Sequence, residues 1–168
     1  MFLPYEQIAD TSRVWMYQSN RLLTEAEQFT LETALVAFCD NWTAHKVNLR
    51  ASFKIEASAI ILLVVDEQNQ GASGCSIDKS YEFLRSVESE LNIELFNRKL
   101  ITWMDDNQSV HISPLYEIPS LLAEGRFSPN SLMYDCTLQS LDLIRSSWLK
   151  EARHTWLGNR FDAHLISN

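Results

Sequence analysis

The sequence predicts an α+β fold: a ferredoxin-like βαββαβ sandwich with an added hairpin strand and a C-terminal helical extension. Three observations predict it. Strand and helix patterns follow each other in that order, the strands differ in hydrophobic character, and no repeat or linker divides the 168 residues. We therefore expect one α+β domain over 1–168, with a core at about 13–113 and an extension at about 114–168.

The first strand and the first helix are indicated by residue type and by a capping motif. Residues 13–18 are bulky and aromatic, which favours a strand. Thr24-Glu-Ala-Glu27 is a capping box, in which the threonine hydroxyl accepts a hydrogen bond from a helix amide and the glutamate reaches back to the cap. Apolar residues at helical spacing then predict a helix to about His45.

The next two strands have different patterns. Residues 49–57 alternate strictly between apolar and polar side chains, which indicates a half-buried edge strand. Residues 59–65 are apolar throughout, which indicates a central strand that ends at Asp66 and Glu67. The ferredoxin-like interpretation makes the first strand central too, and we expect these two central strands to be parallel and to end at one edge.

The remaining elements follow from the same signals. They are a helix at about 76–91 with Asn92 as its left-handed cap, a hairpin of 100–104 with 109–113, a short helix at 114–125, a strand at 132–137, and a helix from 138 to about 152.

Composition excludes several classes of protein. The longest apolar run has seven residues, whereas a membrane span needs roughly 20, and no signal peptide is recognisable. The three cysteines form no CxxC pair and leave an odd thiol, so neither a zinc ribbon nor a disulfide scaffold is indicated; they are Cys39, Cys75 and Cys136. We expect a cytoplasmic protein without a membrane partner, and the net charge of −8 disfavours nucleic acid.

Charge is unevenly distributed along the chain. Residues 145–168 contain four basic and two acidic residues, a net charge of +2, which leaves −10 on the preceding 144 residues. This basic segment also contains Trp148, Trp156 and Phe161. Such a segment could stack on nucleic acid, but we expect its aromatic rings to pack on the acidic body or on a neighbouring subunit.

The most informative segment is the glycine loop, defined here as residues 71–80, Gly-Ala-Ser-Gly-Cys-Ser-Ile-Asp-Lys-Ser. It follows a predicted central strand and begins a helix, a place where backbone amides and the helix dipole favour an anion. The alternative is purely structural: glycines form the turn, Ser76 caps the helix and Lys79 is solvated. The predicted parallel strands would bring the segment 18–21 beside this loop.

We therefore expect the protein to bind a small anionic ligand or a protein partner through the glycine loop. The spacing resembles a phosphate-binding P-loop, yet the glycine before Lys79 is missing. The candidate ligand-binding residues are Asn20, Arg21, Asp66, Gly71, Ser73, Gly74, Cys75, Ser76 and Lys79.

Two other functions stay open. Cys75 is the best candidate nucleophile or redox thiol, since a helix N-terminus stabilises a thiolate, although no histidine stands at a signature spacing from it. A structural homodimer without ligand, formed through an open sheet face or through the basic segment, is the third hypothesis. No metal-ligand motif is present and the sequence indicates no particular cofactor.

Several short motifs resemble a bacterial family of short, single-domain proteins that are often labelled "ABC transporter ATPase". The similarity covers about the first two thirds of the chain, and the glycine loop is its most specific part. The other motifs are Tyr17-Gln-Ser-Asn-Arg21, Trp42-Thr-Ala-His45, Ala51-Ser-Phe53 and Val65-Asp-Glu67. The label implies ATP binding, but the chain has no LSGGQ-like signature and no recognisable magnesium-binding strand.

Overall fold

The computed structural model describes residues 1–165, and their side chains as far as Phe161. Helices and antiparallel sheets both occur, which confirms the α+β class. In chain order the elements are β1 (Arg13–Gln18), α1 (Glu25–Asn41), β2 (Thr43–Ala44), β3 (Val47–Asn48), β4 (Arg50–Glu56), β5 (Ile60–Asp66), α2 (Gly74–Leu91), β6 (Leu100–Met104), β7 (Val110–Pro114), α3 (Ile118–Ala123), β8 (Leu132–Tyr134), α4 (Leu141–Ser147), β9 (Leu149–Glu151) and α5 (Gly158–Leu165).

The first sheet has three strands in the order β1-β5-β4. All seven residues of β5 are buried, which agrees with its unbroken apolar sequence and its central place. The edge strand β4 pairs with it from Arg50 opposite Asp66 to Glu56 opposite Ile60. The outer edge of β4 is covered in turn by the first residues of the chain, where the Leu3 amide donates to the Ala51 carbonyl.

The predicted parallel pairing of the two central strands is wrong. β1 is an edge strand of this sheet and runs antiparallel to β5, with Arg13 opposite Val65 and Gln18 opposite Ile60. The end of β1 therefore lies beside the start of β5, because antiparallel neighbours end at opposite edges of a sheet. Residues that follow β1 and residues that follow β5 are separated by the length of the sheet.

The four-stranded ferredoxin-like sheet is not confirmed either. The fourth strand of that pattern would be β6, but β6 belongs to a second sheet with the order β7-β6-β8-β9. One edge of β6 is occupied by its hairpin partner β7, and the other is occupied by β8 at Trp103 and Met104. A strand has only two edges, so β8 takes the place at which β6 would join β1.

Both faces of the first sheet are covered. On one face α1 and α2 pack against Ile61, Leu63 and Val65 of β5. On the other face Ile60, Leu62 and Val64 pack against α4, β8 and the N-terminal turn. The sheet face predicted to be open for a homodimer is thus occupied by the C-terminal third of the chain itself.

The C-terminal third also differs from the helix predicted over 138–152. The helix α4 is shorter, and Leu149–Glu151 forms β9, which pairs with β8. The strand β9 has only three residues. An apolar–polar alternation of that length cannot be distinguished from helical periodicity in the sequence.

The first helix ends at Asn41 and not near His45. Residues 43–44 pair with 47–48 in a small hairpin, and His45 and Lys46 at its tip have φ values of 50° and 67°. This left-handed backbone turns the chain sharply, and a right-handed helix cannot continue through it. The Asn92 cap of α2 is confirmed, with φ 50° and ψ 55°.

The basic C-terminal segment contacts the acidic body, as expected. Trp148 and Phe161 are buried in two different core clusters. The Arg145 guanidinium pairs with Asp10 and donates to the Tyr5 carbonyl at 2.6 Å. Lys150 lies 2.9 Å from a carboxylate oxygen of the buried Asp135. The basic segment is therefore packed against other parts of the same chain.

Candidate functional site

The glycine loop ends in a complete helix cap. The Ser73 hydroxyl accepts from the Ser76 amide at 3.3 Å, and the Ser76 hydroxyl accepts from the Ser73 amide at 2.7 Å. Ser76 is buried. Ser73, not Ser76, is the N-cap, and both hydroxyls are used within the helix end, as in other reciprocal capping boxes.

The two glycines are not required by backbone conformation. Neither Gly71 nor Gly74 has a positive φ, and a side chain at Gly74 would meet no atom within 4 Å. The neighbouring amide of Ala72 donates to the Glu67 carboxylate at 3.0 Å. An acidic side chain therefore already lies at this loop, which opposes the binding of an anion there.

Four residues of the glycine loop are exposed: Gly74, Cys75, Asp78 and Lys79. The Lys79 ammonium lies 3.4 Å from the Thr43 hydroxyl, a contact at the long end of hydrogen-bond geometry. No hydrogen bond to the Cys75 thiol occurs within residues 1–161. The role of Cys75 as a nucleophile or redox thiol stays a prediction.

Arg21 and Asn20 lie at the opposite end of α2 from the loop. The Arg21 guanidinium makes a two-pronged contact with the Glu27 carboxylate at 2.7 and 2.9 Å and donates to the Leu91 carbonyl at 2.7 Å. Leu91 ends an 18-residue helix that Gly74 begins, so about 26 Å separate the two groups. The predicted convergence of Arg21 with the glycine loop is wrong, because β1 and β5 are antiparallel.

Asp66 is buried in a contact within the first sheet. Its carboxylate lies 3.2 Å from the Arg50 guanidinium, directly across the β4–β5 ladder, and it accepts from the Gln68 amide at 3.1 Å. Only 1% of its side chain is exposed. Asp66 therefore fixes the end of the sheet and is not available to a ligand.

A second candidate site is a cleft between the outer edge of β1 and the second sheet. Its volume is about 600 Å³, within the range of pockets that hold small molecules. The side chain of Gln18 joins its two sides, with its amide nitrogen donating to the Leu100 carbonyl at 3.2 Å and its oxygen accepting from Thr102 at 2.9 Å. We call it the β1–β6 cleft.

Two guanidinium groups line this cleft, those of Arg13 and Arg98, and its lining within the described part of the chain contains no Asp or Glu. That is unexpected in a protein of net charge −8. The exposed Arg98 makes no ion pair within residues 1–161, and the ion pair of Arg13 with Glu67 is long, at 3.8 Å. The cleft therefore presents positive charge that the chain leaves largely uncompensated.

Aromatic and apolar side chains form the walls of the cleft. Trp15, Tyr17, Tyr134 and Trp156 contribute rings. The Arg13 guanidinium stands 4.5 Å from the centre of the Trp15 ring, a cation–π contact that holds it at the cleft. Burial raises the pKa of Tyr17, and the positive charge of Arg98 partly opposes that effect.

The cleft also contains a cysteine, Cys136. Burial, reinforced by the charge of the adjacent Asp135, raises the pKa of Cys136 to about 12. Its thiol is therefore protonated at neutral pH and is a poor nucleophile, because the thiolate is the reactive form. Burial likewise raises the pKa of Cys39 to about 12.

Asp105 lies in the turn that joins β6 to β7. Asp105 accepts from the amides of Asn107 and Ser109, both at 2.9 Å, and its other oxygen lies 2.9 Å from the His111 ring. These contacts lower the pKa of Asp105. His111 in turn stacks on Trp103, so this pair fixes the hairpin of β6 and β7.

Comparisons with protein-family models, with curated proteins and with solved structures give no match to this chain. The resemblance to the family labelled "ABC transporter ATPase" stays a prediction.

Within residues 1–165 no helix has the length and apolar character needed to cross a membrane. In the same residues no three His, Cys, Asp or Glu side chains are grouped so that they could hold a metal ion.

The β1–β6 cleft was not predictable from the sequence, although the residue types at 13–18 predict the strand that forms one side of it. The lining comes from five separated segments, around residues 13–18, 95–101, 115, 133–139 and 156. Arg98 stands in an unpatterned stretch between two elements and carries no motif. The excess of positive charge over negative appears only when the fold brings these segments together.

Proposed function

We propose that the protein binds a small anionic ligand in the β1–β6 cleft. The observation that carries this proposal is the charge of the lining, two guanidinium groups without a carboxylate, in an otherwise acidic chain. Guanidinium groups bind carboxylates and phosphates through paired hydrogen bonds, and an aromatic, half-enclosed site strengthens such contacts. The ligand class is the one that the sequence predicted, but the site differs.

The separation of the two guanidinium groups favours an elongated ligand. Arg13 lies at the start of β1. Arg98 follows Glu94, whose carbonyl accepts from the Asn20 amide beyond the other end of that strand, so the two arginines come from opposite ends of β1. An anion with two separated charges can reach both groups, whereas a compact anion can reach only one.

Calorimetric titration with inorganic phosphate, succinate and sebacate tests this proposal. Sebacate is the longest of these anions and should bind best. Arg98→Gln should weaken it about tenfold, because a charge-assisted hydrogen bond is lost. Lys99→Gln is the matched control: it removes the same charge from the next residue, whose side chain is exposed and does not line the cleft.

Amide NMR spectra recorded during the titration give the location. Ligand in the cleft should shift the signals of Met16 and Gln18, and ligand at the glycine loop would shift those of Gly74 and Cys75. Equal sebacate affinity of the wild type and Arg98→Gln, or shifts confined to the loop, would contradict the proposal.

A further inference from the structure

The outer edge of β1 is paired at both ends and free between them. At one end the Val14 amide donates to the Gln139 carbonyl at 2.9 Å. At the other end the Asn20 amide donates to the Glu94 carbonyl at 3.1 Å, and the Glu94 amide donates back to the Asn20 side chain. Other parts of the chain thus pair with the backbone at position 14, inside β1, and at position 20, two residues after β1 ends.

Between these contacts lies an unpaired stretch, which we call the edge slot, residues 15–19. The Ser19 amide donates to Ala59 on the β5 side, so the odd-numbered residues of β1 pair with β5. The amides and carbonyls of Met16 and Gln18 therefore point away from β5. Both residues line the cleft, and their backbone groups have no other partner within residues 1–165.

On the basis of the proposed function, we infer that the anionic ligand is a short peptide of about three residues, bound as an added strand in the edge slot. Backbone groups of an extended peptide repeat at the spacing of Met16 and Gln18 and can pair with both. The end contacts at positions 14 and 20 leave no room for a long strand to continue, so the slot selects a short free peptide over an internal segment of a protein.

The charge of the slot indicates which peptides fit. Arg13 and Arg98 favour two carboxylates, a C-terminal one and an acidic one near the other end. As far as residue 161 the cleft lining offers no carboxylate for a free N-terminal ammonium, so a blocked amine fits better. The apolar walls, including Leu100, Leu138 and Met133, suit a β-branched side chain between the two charges.

The first test compares ligands on the wild-type protein by calorimetry. The probe is the N-succinylated peptide valyl-valyl-alanine, which has a carboxylate at each end. It should bind at least tenfold more tightly than sebacate, because it adds backbone hydrogen bonds. Methylation of the amide nitrogens should remove that gain. The peptide inference would be overturned if the methylated and the unmethylated peptide bound with equal affinity. The anion proposal would stay intact in that case, provided that sebacate binding depends on Arg98.

The second test changes the protein. Met16→Pro removes one amide hydrogen that faces the slot and leaves the β5 ladder intact, since edge strands accept proline at such positions. Met16→Ala is the matched control, which shortens the side chain and keeps the amide. The proline variant should bind the probe about tenfold more weakly than the alanine variant, with the same affinity for sebacate. If Met16→Pro does not fold, the comparison of the methylated with the unmethylated peptide on the wild-type protein tests the inference.

Other occupants have distinct signatures. Sedimentation that shows a dimer dissociated by the probe would identify a second copy of this chain as the occupant and would contradict the inference. Failure of every anion, sebacate included, would refute the proposed function together with the peptide inference.

Discussion

Glu27 accepts hydrogen bonds from three groups of two residues, Arg21 and Thr24, at the start of α1. Its carboxylate binds the Arg21 guanidinium, the Thr24 amide at 2.8 Å and the Thr24 hydroxyl at 3.0 Å. These contacts lower the pKa of Glu27 from 4.5 to about 2, with the Arg21 hydrogen bond as the largest cause. The sequence predicted that Arg21 binds an anionic ligand. In the structure Arg21 instead stabilises the start of α1 through Glu27.

This arrangement predicts a pH-dependent contribution to stability. The folded-state pKa of Glu27 is depressed, so its contribution is fully present above about pH 4.5 and is lost as the pH falls towards 2. Glu27→Gln should therefore lower the melting temperature at pH 7, and the difference from wild type should shrink between pH 4.5 and 2. Thermal unfolding measured by circular dichroism tests this.

Glu32→Gln is the control for that series, because Glu32 is exposed on the same helix and has no side-chain partner within residues 1–161. A Glu27→Gln difference that is constant from pH 7 to 2 would show that the carboxylate charge contributes nothing.

At the scale of elements, the capping motifs were predictable and the strand partners were not. The Thr24 capping box and the Asn92 cap follow from residues that are adjacent in sequence, so local chemistry decides them. The pairing of β6 with β8 depends on a segment about 30 residues further along the chain. No local signal in β6 distinguishes β1 from β8 as its neighbour, because the same edge of β6 could serve either.

The cap of α2 gives a prediction about the glycine loop. Ser73→Ala removes the hydroxyl that accepts from the Ser76 amide and should lower the free energy of unfolding by about 1 kcal/mol. Urea unfolding measures this change. Sebacate affinity should stay the same, because Ser73 does not line the β1–β6 cleft.

Ser86→Ala is the control for the cap, since Ser86 is an exposed position within the same helix and its hydroxyl only bonds back to the Phe83 carbonyl. This substitution should leave stability nearly unchanged. A Ser73→Ala variant as stable as Ser86→Ala would contradict the capping role.

At the scale of the whole molecule, β5 connects two hydrophobic cores. Leu63 packs towards α1 and α2, while Leu62 packs towards α4 and β8, and both side chains are fully buried. The α+β class was predictable because periodicity alone indicates it. The covering of the second face was not predictable, because the segments that cover it, around 133–148, carry short and ambiguous patterns.

The two cores should unfold together. Leu62→Ala and Leu63→Ala should each lower the free energy of unfolding by about 2–5 kcal/mol and shift one common transition. Circular dichroism and tryptophan fluorescence during urea unfolding measure whether the transitions coincide. Leu143→Ala on the exposed side of α4 should have little effect. A separate early transition in Leu62→Ala would show that the C-terminal third unfolds independently.

The backbone contacts of Val14 and Asn20, at the two ends of the edge slot, have a consequence for self-association as well. A free strand edge can add a strand from another molecule, and repeated addition leads to aggregates. Here the carbonyls of Gln139 and Glu94 occupy the two ends of the edge, so a long strand cannot align along it. Residues 1–3 cover part of the opposite edge, at β4. The edge of β1 can thus remain partly unpaired without becoming a template for aggregation.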